Sequence, residues 1–328
     1  MYCIDAGSEY CPCHLAETND CILCSQLSGE EFCQCKDWCG VCIYEQYISN
    51  GKKAKNLRKT YDCPILDKKV AKDSLCMFTL EAPENLVREL SNPGSFVFLR
   101  NKESVNYYDV PISIINADNT NNTLDVAIKS SGTKTKVLFK LNKGDKILLR
   151  GPFSNGIMGL SNISNAKDGI SLIIARGIGI APSIPVMKKL YSNKNKLISI
   201  IDTQFKENFY EDYFKGCKSK VLDCTILDDG NLSEKFKLML KKILRENSIN
   251  LVHCGGPDIM SYKIIDFIDK INSSQNKFIN FSCCNNSKMS CGEGICASCT
   301  KHYDGDIVRR LCKVQMDPRD LFKGRRLL

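Results

Sequence analysis

Near its C-terminal end the chain reads Cys291-Gly292-Glu293-Gly294-Ile295-Cys296-Ala297-Ser298-Cys299, with Cys312 beyond. C-x4-C-x2-C with a distant fourth cysteine is the plant-type ligand pattern of a [2Fe–2S] cluster. No other feature constrains the local fold as strongly. Three thiolates from one tight loop must converge on a compact inorganic core. Gly292 and Gly294 let the backbone take conformations that side chains penalise. Ala297 and Ser298 are small enough for amide groups to approach the sulfides. Cys312 is expected to complete the second iron from beyond a hairpin turn at Asp304-Gly305-Asp306. A zinc ribbon would use paired C-x2-C knuckles, and this segment has one. Cys291, Cys296, Cys299 and Cys312 are therefore the expected metal ligands.

The 328 residues contain twenty cysteines, well above ordinary usage. A chain of this length has room for two or three domains with real cores, so cysteines are not needed as staples. Its opening, Met1-Tyr2-Cys3-Ile4-Asp5, has neither a basic n-region nor an apolar h-region. The most apolar stretch, Ser171 to Met187, is interrupted by Arg176 and by glycines and prolines, so no membrane span is expected. A cytoplasmic chain keeps its thiols reduced, and dense cysteines there point to metal rather than disulfides.

A second concentration lies in the first 50 residues: Cys3, Cys11-Pro12-Cys13, Cys21-x2-Cys24, Cys33-Gln34-Cys35 and Cys39-x2-Cys42. Each C-x2-C pair would suit half a zinc site, and a further iron–sulfur cluster competes with that reading. A small core filled by thiols is the third alternative. The formal charge of +9 counts every cysteine as neutral. The remaining basicity suits an acidic electron-carrier protein, or else is a lysine-rich solvated surface. Interleaved aromatics and a helix-turn-helix pattern are absent from the sequence, so no nucleic-acid partner is expected.

Composition divides the chain into four parts. Residues 1–60 form the cysteine-rich segment, ending in the basic stretch Gly51 to Lys59, expected to be a solvated linker. Residues 61–160 hold short apolar runs (Ser95 to Leu99, Ile112 to Ile115, Leu124 to Ile128, Lys146 to Leu149) between turn residues, which suggests an antiparallel β-barrel or sandwich. In residues 161–281, strand-like runs (Ser171 to Ala175, Lys196 to Asp202, Asn250 to Cys254) alternate with helical ones (Pro182 to Tyr191, Leu232 to Glu246, Asp258 to Ile271). That alternation predicts a doubly wound parallel α/β sheet. Residues 282–328 carry the cluster motif. The expected fold class is multidomain: barrel, α/β sheet, small C-terminal cluster module and N-terminal cysteine-rich segment.

Several turns have phosphate-binding character. Gly177-Ile178-Gly179-Ile180-Ala181-Pro182 follows a buried strand and opens a helix, where backbone N–H groups would approach a pyrophosphate. Gly255-Gly256-Pro257 and Met260 follow a later strand, at the sheet edge where ligands of open α/β sheets bind. Asp229 lies in Asp228-Asp229-Gly230, which also suits a plain turn. Pro111-Ile112-Ser113 and Ile128-Lys129 with Gly132-Thr133 are candidate cradles in the β-rich part. Taken singly, each is as compatible with an ordinary turn.

In this order the elements resemble the ferredoxin–NADP reductase superfamily, nearest its dihydroorotate dehydrogenase B electron-transfer branch and clostridial-type relatives. The carrying motifs are Pro111-Ile112-Ser113, Gly132-Thr133, Gly144-Asp145, Gly151-Pro152, Gly177 to Pro182, Asp228 to Gly230, Gly256-Pro257 with Met260, and Met289 leading into the cluster loop. The resemblance spans about Tyr61 to Asp320. It implies an FAD-binding barrel and an NAD(P)-binding sheet. It further implies a flow of electrons from NAD(P)H through FAD to the [2Fe–2S] cluster and on to a partner protein. That partner would be a catalytic dehydrogenase subunit or a ferredoxin-like carrier, in a hetero-oligomer. Asp109 departs from the pattern, since it stands where the family has a phosphate-facing arginine; Lys129 is the expected compensating charge. Cys254 lies next to Gly255, which occupies the family's usual cysteine place, and Ser282-Cys283-Cys284 replaces an acidic residue. His14, His253 and His302 share no motif and are expected to be structural or exposed. The competing class is a metal- or redox-sensing binding protein without turnover.

Overall fold

The computed structural model describes residues 2–35, 38–71, 74–203, 209–272, 278–303 and 307–323. They form two compact units. One unites Met1–Thr60 with Ser287–Met316, and the other unites Tyr61–Asn286 with the segment from Asp317.

The larger unit begins with a closed six-stranded barrel. Its strands are β1 (Lys59–Ala71), β2 (Leu75–Glu81), β3 (Phe96–Asn101), β4 (Val110–Asp118), β5 (Thr123–Lys129) and β6 (Lys146–Phe153), in the order β1-β2-β5-β4-β3-β6. Alternation explains the burial. On β5, Leu124, Val126 and Ile128 point into the barrel, where they meet Phe78, Val97, Ile114 and Leu149. Side chains of a strand alternate between faces, so the intervening positions lie outside the barrel core. Closure leaves no unpaired edge. β1 was not legible as strand, because the run from Lys59 to Ala71 mixes charged residues, a proline and apolar ones.

A six-stranded sheet follows, made of β7 (Ile157–Met158), β8 (Ile170–Arg176), β9 (Lys196–Asp202), β10 (Lys220–Asp223), β11 (Ile249–Gly255) and β12 (Asn280–Cys284). The order is β10-β9-β8-β11-β12-β7, parallel except for β7, which pairs antiparallel with β12. Helices α1 (Ile180–Ser192), α2 (Glu234–Glu246) and α3 (Asp258–Asn272) connect these strands. On α2, Phe236, Leu240, Ile243 and Leu244 form the buried stripe expected from helical spacing. Strand order reverses between β8 and β11, which makes the crevice at their carboxyl ends a topological switch point. Ser282, Cys283 and Cys284 lie within β12, buried in this sheet.

The smaller unit ties the two chain ends together. Tyr2–Cys3 pairs antiparallel with Val314–Gln315. Thr300–Tyr303 and Ile307–Arg310 form a second antiparallel pair; the turn expected at Asp304-Gly305-Asp306 falls outside the described residues. The basic stretch before β1 is not simply solvated. The Arg58 side chain is only 4% exposed and bonds Asp5 at 2.7 Å and Glu293 at 2.8 Å. Lys313, with a side chain 1% exposed, pairs with Asp5 and, at 2.8 Å, with Glu293. Two acids and two bases thus neutralise one another inside the unit, as buried charge requires. No helix among the described residues is long and apolar enough to cross a membrane.

Candidate functional site

The glycine loops predicted from sequence meet at the switch point. Gly177–Gly179 forms a tight 3-10 turn after β8 and leads directly into α1. Gly177 has a φ of +56°, a left-handed conformation that glycine takes without penalty. A Cβ on Gly179 would sit 2.4 Å from the Gly255 carbonyl oxygen, and one on Gly255 would sit 2.0 Å from Ser183 Oγ. The two loops therefore touch backbone to backbone. Met260 is buried with its side chain against Gly256, and Asn286 donates to the Gly256 carbonyl at 2.8 Å. Ala181 is buried in the first turn of α1, whereas Ile178 is exposed at the rim. Pro182 follows it in α1, and Pro257 precedes α3.

Beneath these loops lies a group the sequence did not single out. His253 is fully buried on β11, 3.0 Å from Ser282 Oγ and 3.1 Å from Ser183 Oγ. Ser183 donates its proton to the Gly179 carbonyl at 2.7 Å. That leaves Ser183 Oγ as an acceptor, so Nε2 of His253 carries the proton and Nδ1 accepts from Ser282. Burial pushes the imidazole pKa down to about 3, so it is neutral. The chain Ser282–His253–Ser183 fixes the Gly179 carbonyl. Its sequence signal was slight: a polar residue inside an apolar strand two positions before Gly255.

Asp229 sits with a φ of +42° in the turn between the short strands Leu227–Asp228 and Asn231–Leu232. It is exposed. Arg176, at the end of β8, pairs with Asp202 at the end of β9 at 2.9 Å.

In the barrel, Ile112 and Ile128 belong to the core. Pro111 and Lys129 are exposed, and Ser113 is half-buried on the outer face of β4. Gly132 and Thr133 open the short helix Thr133–Phe139, with the Thr135 hydroxyl accepting from the Gly132 N–H at 3.1 Å. The Asp109 carboxylate faces Arg150 at 3.2 Å and Arg100 at 3.5 Å. Lys134 donates to the Asp109 carbonyl at 3.0 Å. Three cations thus surround one acid, and the neighbourhood is net positive despite Asp109. Arg150 lies over the Phe98 and Phe153 rings, 4.5 Å and 5.2 Å from their centroids, a contact that holds its planar head in place.

In the cluster loop Cys291 and Cys296 influence each other's titration, as do Cys299 and Cys312. The Glu293 N–H donates to Cys291 Sγ at 3.3 Å, and the Cys312 N–H to Cys299 Sγ at 3.4 Å. Burial raises the Cys291 thiol. Burial also opposes ionisation of Cys296, yet hydrogen bonds from Ser298 and Cys291 outweigh it and bring the pKa to about 7. The Cys312 thiol is the leading cause that holds Cys299 at about 6. Gly292, Gly294 and Ala297 all have positive φ, so the loop turns sharply, as expected. Among the described residues no three His, Cys, Asp or Glu side chains surround one point closely enough to hold a single ion. A binuclear cluster has a different requirement. Cys291, Cys296, Cys299 and Cys312 are the residues that would hold such a cluster, which would supply single-electron transfer.

No protein-family model matches the chain. Curated relatives do. The dihydroorotate dehydrogenase B (NAD(+)) electron transfer subunit of Clostridium acetobutylicum is 30% identical over 222 residues, 67% of this chain and 81% of the relative. Its Fusobacterium nucleatum counterpart is 27% identical over 77% of this chain and 94% of the relative. The sulfhydrogenase 2 subunit gamma of Pyrococcus furiosus is 27% identical, covering 74% and 89%. A solved structure of an NADH-dependent reduced ferredoxin-NADP oxidoreductase, described in connection with flavin-based electron bifurcation, superposes with a TM-score of 0.60. At 21% identity it covers 80% of this chain and 90% of that chain, so it shows a shared fold. The chain therefore belongs to the dihydroorotate dehydrogenase B electron transfer subunit family, a branch of the ferredoxin–NADP reductase fold whose members are electron-transferring oxidoreductases.

Proposed function

We propose that the chain is the electron-transfer subunit of a cytoplasmic hetero-oligomer, passing electrons between NAD(P)H, FAD, a [2Fe–2S] cluster and a partner protein. The observation that carries this reading is the C-x4-C-x2-C loop with Cys312, which turns at positive φ and aims main-chain N–H groups at Cys291 and Cys299, on a chain that also has a dinucleotide-type crevice. When bound, the nicotinamide and flavin supply hydride transfer, and the cluster supplies single-electron transfer.

The protein's part is placement. Gly177, Ile178, Gly179, Ala181 and Pro182 on one side, and Gly255, Gly256, Pro257 and Met260 on the other, form the dinucleotide crevice at the switch point. Ser183 and His253 hold its floor. Asp229 stands at the adjoining edge as a candidate ribose contact. Pro111, Ile112, Ser113, Ile128, Lys129, Gly132 and Thr133 form the flavin cradle on the barrel. Arg150 and Arg100 take over the phosphate-facing charge that Asp109 lacks. Cys291, Cys296, Cys299 and Cys312 ligate the cluster. The cytoplasmic placement is supported by the twenty cysteines of the sequence, which a reducing compartment keeps available for metal.

The test is anaerobic reconstitution followed by NADH-dependent dye reduction. The protein is expected to show both flavin and iron–sulfur absorbance and to turn over. Cys296→Ser is expected to lose iron while keeping flavin. A chain that binds neither FAD nor iron sinks the proposal, and one that binds iron without turnover is a sensor.

A further inference from the structure

We infer that Cys3, Cys11, Cys13 and Cys21 ligate a second, polynuclear iron–sulfur cluster, separate from the one at the C-terminal loop and next to it in the same unit.

The four thiols line one cavity whose other walls are mainly apolar, among them Leu15, Leu23 and Ile43. Water is therefore a poor competitor for a metal there. One of these sulfurs also accepts a main-chain hydrogen bond, from the Cys24 N–H to Cys21 Sγ at 3.4 Å. Main-chain donors aimed at sulfur are the same device that surrounds Cys291 and Cys299, and such bonds tune cluster ligands.

A single zinc ion fits less well. Zn–S bonds of about 2.3 Å place four tetrahedral sulfurs within about 4 Å of one another. No three such ligands converge on one point among the described residues. A polynuclear cluster instead spreads its thiolates over separate irons around an inorganic core. The C-x2-C pairs are also split: Cys21 lines the cavity and Cys24 does not, while Cys33 and Cys35 are exposed and touch each other at 3.3 Å.

The cavity adjoins the C-terminal loop. Cys3 pairs with Val314, two residues beyond Cys312. A Cβ on Gly294 would lie 3.1 Å from the Leu15 side chain. The Lys313 ammonium pairs with Asp5, which lines the cavity, and at 2.8 Å with Glu293 of the C-terminal loop, so it links the two. Each electron that reaches the second centre is one lost by the first, and a hydride's electron pair requires two such transfers.

The test uses the full chain, reconstituted anaerobically with ferrous iron and sulfide. Iron and acid-labile sulfide are counted per chain, and the dithionite-reduced protein is examined by electron paramagnetic resonance. The wild type is expected to hold more iron than one [2Fe–2S] centre accounts for and to show two interacting signals. Cys13→Ser with Cys21→Ser is expected to remove only the excess, and Cys296→Ser only the [2Fe–2S] share. Retained flavin reports that each variant is folded, and the wild-type count needs no variant. A wild type whose iron equals one [2Fe–2S] centre and is lost entirely in Cys296→Ser overturns the second centre but leaves the first. Excess iron unaffected by the double substitution, or zinc bound in its place, also overturns it.

Discussion

Replacing Gly179 with alanine tests whether the contact between the two glycine loops shapes the nucleotide crevice. The backbone of Gly179 has ordinary negative φ, so alanine adds no torsional strain there. The effect comes from contact alone. The new Cβ would lie 2.4 Å from the Gly255 oxygen, 2.5 Å from its carbonyl carbon and 2.6 Å from the Gly256 nitrogen. Ordinary contact begins near 3.4 Å, so the β11 loop must withdraw by about 1 Å. Both partners are backbone, and no flexible side chain can yield. Forcing an extra methyl into a closed site costs about 1–3 kcal/mol. If that strain is expressed in the crevice, NADH binding weakens roughly five- to hundredfold. The assay is NADH titration by fluorescence, with flavin content and thermal unfolding measured beside it. Gly216→Ala is the control, since nothing lies within 4 Å of a Cβ there. Unchanged NADH affinity in Gly179→Ala, with an unchanged unfolding midpoint, would refute the role assigned to the loop contact.

His253 links stability to pH. Its folded pKa of about 3 lies below the ordinary 6.5, so between those values the unfolded chain binds the additional proton. Stability contributed by the neutral ring is whole above about 6.5 and falls with decreasing pH by up to roughly 1.4 kcal/mol per unit. Urea unfolding of His253→Gln is expected to have a shallower slope across that window, and equal slopes would count against it. Lys313→Met leaves Asp5 and Glu293 with Arg58 as their remaining ion-pair partner, and breaking a buried pair costs about 3–5 kcal/mol. Denaturant titration is expected to show that loss, and a variant as stable as the wild type contradicts the network. Arg150→Ala leaves the Asp109 carboxylate with Arg100 and is expected to lower flavin affinity roughly tenfold, as for loss of a charged hydrogen bond. Adding Asp109→Asn should recover part of it, measured by flavin release on dilution; no recovery would mean that Asp109 does not oppose the flavin.

The cluster loop, the barrel-then-sheet order and the glycine turns were legible in the chain because each is written locally. Ligand spacing, a period of two and a period near 3.6 all appear within a dozen residues. Helix boundaries fell within two residues for Asp258–Asn272 and Ile180–Ser192. The β1 strand escaped notice, since its charged positions blur the alternation. Charge partners were not legible at all. Asp109 reads as an obstacle to phosphate until Arg100 and Arg150 are brought beside it from other strands. Arg58 reads as part of a solvated run until it is found 235 residues from its partner Glu293.

What the sequence determined by itself, then, was what short-range spacing can encode: a C-x4-C-x2-C pattern that turns sharply and glycines where backbone must come close. Tertiary structure alone decided which groups share a site. It joined Tyr2–Cys3 to Val314–Gln315, gathered Cys3, Cys11, Cys13 and Cys21 around one cavity, and placed His253 under the Gly179 carbonyl through Ser183. The physical reason is that burial and charge pairing depend on distances in space, and a linear chain records these only where neighbours in sequence are also neighbours in the fold.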